Sequence, residues 1–132
     1  MTRPEHLDAI YDVAHECLAA GAFRIRINGN CMLPALGHGD EAIVRAARVL
    51  LPGDIIVFRT DRSLVAHRVL GWVPSRRGAR ILTRGDHCAS HDGLVAPDRV
   101  LGRLDARVGS GDRLRSFAAF LVAILVRLSG KR

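Results

Sequence analysis

One thiol, Cys31, stands in the stretch Asn28-Gly29-Asn30-Cys31-Met32-Leu33-Pro34, which Gly37-His38-Gly39-Asp40 closes. Gly29 permits a backbone turn that other residues resist, and Pro34 fixes the chain just past the sulfur. A residue so placed at a strand end is offered outward rather than packed. Backbone N–H groups in such a turn can face a developing oxyanion, the usual requirement of acyl transfer. A histidine, His67, follows 36 residues later in Leu64-Val65-Ala66-His67-Arg68-Val69-Leu70. Next to a presented thiol, its imidazole is a base able to make the thiolate, the species that attacks. A third stretch, Gly85-Asp86-His87-Cys88-Ala89-Ser90-His91-Asp92-Gly93, offers two carboxylates. Asp92 or Asp86 can hold the imidazole in the useful tautomer, as the third member of a triad does.

Each of these residues also has a plainer role. A buried cysteine is usually a small apolar residue, and a histidine on an apolar face is usually a satisfied core residue. Aspartates beside glycine commonly cap turns. His87, Cys88 and His91, with Cys31 or His67 as a fourth ligand, also allow a zinc-binding module, although their spacing matches no strong zinc signature.

The elements that must position these groups read as mostly β. From Phe23 the apolar period is two, with Phe23, Ile25 and Ile27 on one face and Arg24 and Arg26 on the other. Further strands are expected over Glu41 to Arg45, Asp54 to Phe58, Leu64 to Trp72, Ala79 to Arg84 and Val100 to Val108. On alternation His67 shares a face with Val65 and Val69. Turns with glycine or proline separate the strands, which predicts an antiparallel, barrel-like sheet over residues 23–108 rather than βαβ units.

Helices are expected at both ends. Over 1–22, Thr2 and Glu5 have capping-box spacing, and Leu7, Ile10, Tyr11, Ala14 and Leu18 make one apolar stripe; His15 and Cys17 belong to this helix as packing or surface residues. Over 109–132, Asp112 is the expected cap of a helix that is wholly apolar from Phe117 to Val126 and flanked by Arg113, Arg115, Arg127, Lys131 and Arg132. That run is too short to cross a bilayer, which takes about 20 residues. It can pack on the sheet or on a second copy, giving a homodimer, or lie in a membrane interface with its arginines among the headgroups.

A chain of 132 residues is one domain by length. Its net charge of +7 comes from arginines scattered over every segment, with Lys131 the only lysine, so the charge does not mark a nucleic-acid site. Three cysteines, Cys17, Cys31 and Cys88, are an odd count with no close pair, which points to a reducing, cytoplasmic setting. No secretory leader is expected, because the first twenty residues are charged and lack a continuous apolar core.

The order of these motifs resembles the signal peptidase I and LexA-like peptidases, the S24/S26 group. Its pattern is a nucleophilic serine followed by methionine, any residue and proline, then two glycine-aspartate pairs. Here stand Cys31-Met32-Leu33-Pro34, Gly39-Asp40 and Gly53-Asp54-Ile55-Ile56-Val57-Phe58. His67-Arg68-Val69 and Thr83-Arg84-Gly85-Asp86, with Asp92 beyond, are similar to the endoplasmic-reticulum and archaeal branch, which uses a histidine base. The resemblance implies the coiled-sheet peptidase fold, with Cys31 in place of the nucleophilic serine, His67 as general base and Asp92 as third catalytic residue. Asp86 is then structural or a secondary candidate. It implies a peptide or precursor protein as substrate, small residues before the cut, and no cofactor. The bacterial branch's lysine base has no counterpart before Lys131. The rival expectation is a catalytically inactive protein that holds a peptide or partner on the same scaffold.

Overall fold

A computed structural model of the protein describes residues 12, 13, 16, 19, 21–61, 63–88, 92–105 and 108–129. The helix expected over 1–22, with His15 and Cys17, lies almost wholly outside the described residues. The elements are β1 (Ala22–Arg26), β2 (Glu41–Arg45), β3 (Ile55–Arg59), β4 (Leu64–Val73), β5 (Arg80–Arg84) and β6 (Leu94–Val95), then a single 3-10 turn (Pro97–Arg99), β7 (Val100–Leu104) and helix α1 (Ser110–Ser129). The seven strands form one sheet in the order β1-β2-β7-β3-β4-β5-β6, and all of its pairings are antiparallel. The fold is therefore mainly β, as the punctuated short strands predict.

β3 lies at the middle of that order, and its run Ile55-Ile56-Val57-Phe58 is buried on both faces. Alternation sends Ile55 and Val57 into one core with Met32, Val44, Leu101 and Leu104. Ile56 and Phe58 enter a second core with Leu50, Val69, Ile81 and Val95. A continuous apolar run is what a strand covered on two sides requires.

One strand was not expected, and another ends early. β6 has only two residues, too few to carry a period, and exists through its pairing with Ile81 and Leu82 of β5. β7 stops at Leu104 rather than Val108. Asp105 ends it by donating its N–H to the Ile43 carbonyl (2.8 Å) while its carboxylate accepts from Arg45 Nε (2.9 Å).

Helix α1 begins two residues before the expected cap, so Asp112 sits within its first turn. There its carboxylate accepts the Gly109 N–H at 3.2 Å and places negative charge at the positive end of the helix dipole. Ala119, Phe120, Ala123 and Ile124 pack on Leu70, Val73 and Leu82, so one face of the helix covers β4 and β5. The opposite face is bare: Leu114, Phe117, Leu121, Val122, Leu125 and Val126 are 46–69 % exposed. Arg113 fastens the helix start to the β3 entry, donating to Asp54 Oδ1 (3.1 Å) and to the Pro52 carbonyl (3.2 Å).

Candidate active site

The Cys31 loop leaves β1 and returns to β2, closed at its neck by two backbone bonds. Ile27 N–H donates to the Asp40 carbonyl and Gly39 N–H to that of Ile27, both at 2.8 Å. Gly29 has φ +88°, the left-handed conformation its turn was expected to need, and its N–H donates to His38 Nδ1 at 3.0 Å. Met32 anchors the loop. It is 2 % exposed in the core between β2, β3 and β7, and its Sδ accepts the Asp86 N–H at 3.4 Å. Burying a methionine side chain is worth about 1.5–3 kcal/mol, so Met32 fixes the loop while the adjacent Cys31 stays exposed.

His67 comes from β4, where it pairs with Ile56 of β3. It is 7 % exposed and stands T-shaped to the Phe58 ring, centroids 6.1 Å apart, on the side that also holds Val65 and Val69. Its Nδ1 lies 2.5 Å from Asp92 Oδ2. Thr83 Oγ1 donates to the same Asp92 oxygen at 2.7 Å, and Asp92 N–H donates to the Thr83 carbonyl at 2.8 Å. β5 thus holds Asp92 at side chain and backbone.

The segment from Gly85 to Cys88 closes the site. It is tied to the Cys31 loop by His87 N–H to the Cys31 carbonyl (2.8 Å) and turned by Cys88 N–H to the Gly85 carbonyl (3.0 Å). A Cβ on Gly85 would lie 2.7 Å from the Cys31 carbonyl oxygen, 2.8 Å from Cys88 Sγ and 3.1 Å from His67 Nε2. Nε2 therefore faces the thiols while Nδ1 faces Asp92. The sulfurs of Cys31 and Cys88 and a ring nitrogen of His67 lie within 4.8 Å of one another, the spacing of a group that could hold a metal ion. His87 is not part of that group, and His91 lies outside the described residues.

Asp86 is engaged elsewhere. Arg68 grips it with two bonds, Nε to Oδ1 (2.8 Å) and Nη2 to Oδ2 (2.7 Å), and its Nη1 donates to the Gly53 carbonyl (2.7 Å). Of the two candidate carboxylates, Asp92 meets His67 and Asp86 meets Arg68. Asp54, only 1 % exposed, accepts the Leu51 N–H (2.8 Å) and pairs with Arg113, so the second glycine-aspartate pair shapes a turn.

The electrostatics of the pair run in one sense. Hydrogen bonding with His67 is the main influence on the Cys31 thiol and lowers its pKa, against a smaller opposing effect of burial. Burial works against a charge on His67, yet its hydrogen bonds to Asp92 and Cys31 and the neighbouring negative charges together outweigh it and raise its pKa. Burial raises the Cys88 thiol, as does the neighbouring Cys31. Both shifts of the Cys31–His67 pair favour the proton on nitrogen rather than sulfur, the arrangement of an activated thiolate.

The family model for Peptidase S24-like domains matches residues 2–77. The chain belongs to this family. The matched span carries Cys31 and His67 of this S24-like chain and ends before Thr83, Cys88 and Asp92. No curated protein matches the chain.

Sequence reasoning gave no role to Thr83 or Arg68, although both stand in the quoted motifs. An inward-facing threonine and an arginine beside the histidine are the signals that separate the two aspartates. It met Cys88 only as a zinc ligand, with no sign that the thiol would reach Cys31.

Proposed function

We propose that this S24-like chain is a cysteine endopeptidase with the histidine base of the endoplasmic-reticulum and archaeal signal-peptidase branch. The observation that carries the reading is the relay Cys31–His67–Asp92, with Nδ1 of the imidazole held 2.5 Å from a carboxylate and Nε2 turned to an exposed thiol. A cleft of about 600 Å³ opens beside Cys31 and His67, lined by Ile25, Ile27, Leu64 and Ala66. It suits an extended peptide with small apolar side chains.

In this mechanism the Cys31 thiolate attacks the peptide carbonyl carbon, a C–S bond forms, and the carbonyl electrons move to oxygen. The N–H groups of Cys31 and Met32 make no hydrogen bond among the described residues, as expected at the start of a helical turn, and serve the oxyanion. Collapse breaks the C–N bond, and His67 gives its proton to the leaving nitrogen. His67 then takes a proton from water, the hydroxide attacks the thioester, and the thiolate leaves. Asp92 orients the imidazole throughout.

The test is a mixed-peptide library incubated with wild type, Cys31→Ala and Cys31→Ser, with new termini read by mass spectrometry. Cutting by wild type that disappears in Cys31→Ala supports the reading. Equal cutting by Cys31→Ala removes it. Peptide retention without cutting by wild type would favour the non-catalytic binding protein.

The bare face of α1 supports a second part of the proposal, that the enzyme works at an anionic membrane surface. Among the described residues no helix is long and apolar enough to cross a membrane. An apolar face this large, on a chain of charge +7 with Arg115 and Arg127 on the same helix, fits shallow insertion among acidic headgroups.

A further inference from the structure

We propose that Cys31, His67 and Cys88 take one Zn2+ ion and that its binding shuts off the nucleophile; the second clause rests on the peptidase reading. The hydrolytic relay makes no use of Cys88, yet its sulfur is held against the site. The His87 N–H bond to the Cys31 carbonyl (2.8 Å) and the Asp86 N–H bond to Met32 Sδ (3.4 Å) join the two thiol-bearing segments, and the Cys88 N–H bond to the Gly85 carbonyl (3.0 Å) turns Cys88 back toward the site. The space between the ligand atoms is kept open by the missing side chain of Gly85, whose Cβ would sit 2.8 Å from Cys88 Sγ and 3.1 Å from His67 Nε2.

The donor set and its surroundings suit zinc. Two thiols and an imidazole are borderline-to-soft ligands, and Cys2His with an open fourth position is a known tetrahedral zinc set. Zn–S and Zn–N bonds of about 2.3 and 2.0 Å put tetrahedral ligand atoms roughly 3.5–3.8 Å apart. The three atoms here, all within 4.8 Å of one another, need only side-chain rotation to reach that. Asp92 on Nδ1 supplies the carboxylate that metal-binding histidines usually carry on their other nitrogen, fixing Nε2 as the ligand atom. The exposed side of Cys31 leaves the fourth position to water. Once its sulfur is bound to zinc and the Nε2 lone pair is taken, neither attack on a carbonyl nor proton transfer is available.

The experiment uses the full chain, reduced and metal-free. Co2+ is added as a spectroscopic probe, and Zn2+ affinity is measured in competition with a chromophoric chelator. Expected are one equivalent bound, a sulfur-to-cobalt charge-transfer band and the intense visible bands of a tetrahedral site. Asp92→Asn should weaken zinc about 10- to 100-fold, and Cys88→Ala more. Weak octahedral cobalt bands, no stoichiometric binding, or unchanged affinity in Cys88→Ala would each overturn the site. Cleavage is followed separately on metal-free wild type and after one equivalent of Zn2+. Cutting that zinc leaves untouched refutes the switch alone, whereas tight zinc binding by a metal-free protein that never cuts refutes the peptidase reading and leaves the site standing.

Discussion

Asp92→Asn isolates the relay without emptying it, because asparagine keeps the shape while removing the charge. In the native protein Asp92 Oδ2 faces His67 Nδ1 at 2.5 Å and accepts Thr83 Oγ1 at 2.7 Å. An asparagine whose NH2 takes the Oδ2 place donates to Nδ1, with Thr83 Oγ1 turning to accept, which drives the imidazole proton to Nε2 and leaves no lone pair for the Cys31 proton. One whose oxygen takes that place keeps the tautomer but loses the charge that supports the imidazolium. A hydrogen bond to a charged group is worth about 1.5–3 kcal/mol, and about 1.4 kcal/mol is a factor of ten. Alkylation of Cys31 near neutral pH should therefore slow by about 10- to 150-fold. The assay is the rate of iodoacetamide labelling across pH, with Cys31 and Cys88 separated by peptide mapping. The two proteins should converge at high pH, where the thiol ionises without the imidazole. His67→Ala should show a similar loss, and adding Asp92→Asn to it should change little further, because Asp92 works through the ring. Superimposable profiles for wild type and Asp92→Asn would refute the reasoning.

Arg68→Ala breaks a pair that is nearly out of water, with side chains 10 % and 23 % exposed, and strands the Gly53 carbonyl as well. Losing one partner of a buried pair costs about 3–5 kcal/mol, and the partial exposure of Asp86 favours the lower end; urea unfolding that shows a loss below about 1 kcal/mol would contradict this. The raised pKa of His67 means the folded state holds its proton more tightly than the unfolded chain does. Its contribution is thus complete below about pH 6.5 and lost as pH rises through the folded-state value. The stability lead of wild type over His67→Gln, measured by denaturant unfolding from pH 5.5 upward, should shrink, and a lead that grew would reverse the sign of the argument. On α1, Leu121→Asp with Leu125→Asp should abolish sedimentation with phosphatidylserine vesicles and leave the monomer unchanged in ultracentrifugation. Dimers in wild type that fall apart in this variant would assign the face to a second copy instead.

The turn chemistry around Cys31 was legible because proline fixes its own φ and glycine admits the positive φ that Gly29 takes. The side taken by His67 followed from a period of two, and β4 obeys it as far as Val69. At that point the β4–β5 register shifts between Val69 and Gly71, and the residues beyond it turn to the helix. The roles of Asp86 and Asp92 were not legible. Both lie in one loop six positions apart, and what divides them is which partner each meets, Arg68 or Thr83 with His67. Helix α1 was legible as a helix, but a segment apolar all round does not announce which side packs. The packed side is the one where the Phe120 ring lies over Gly71, whose added Cβ would come within 2.5 Å of it, with Ala119 and Ala123 on the same cluster.

Anchorage and reactivity are divided between neighbours in the Cys31 loop. Met32 plugs into the interior, and Cys31 rides on its shoulder with nothing structural asked of its side chain. Position 31 is in effect an interchangeable tool holder: a hydroxyl or a thiol seated there is aimed alike, and the scaffold is indifferent to which. In the proposed reading, what sulfur brings over oxygen is reactivity and affinity for zinc, and the fold itself asks for neither.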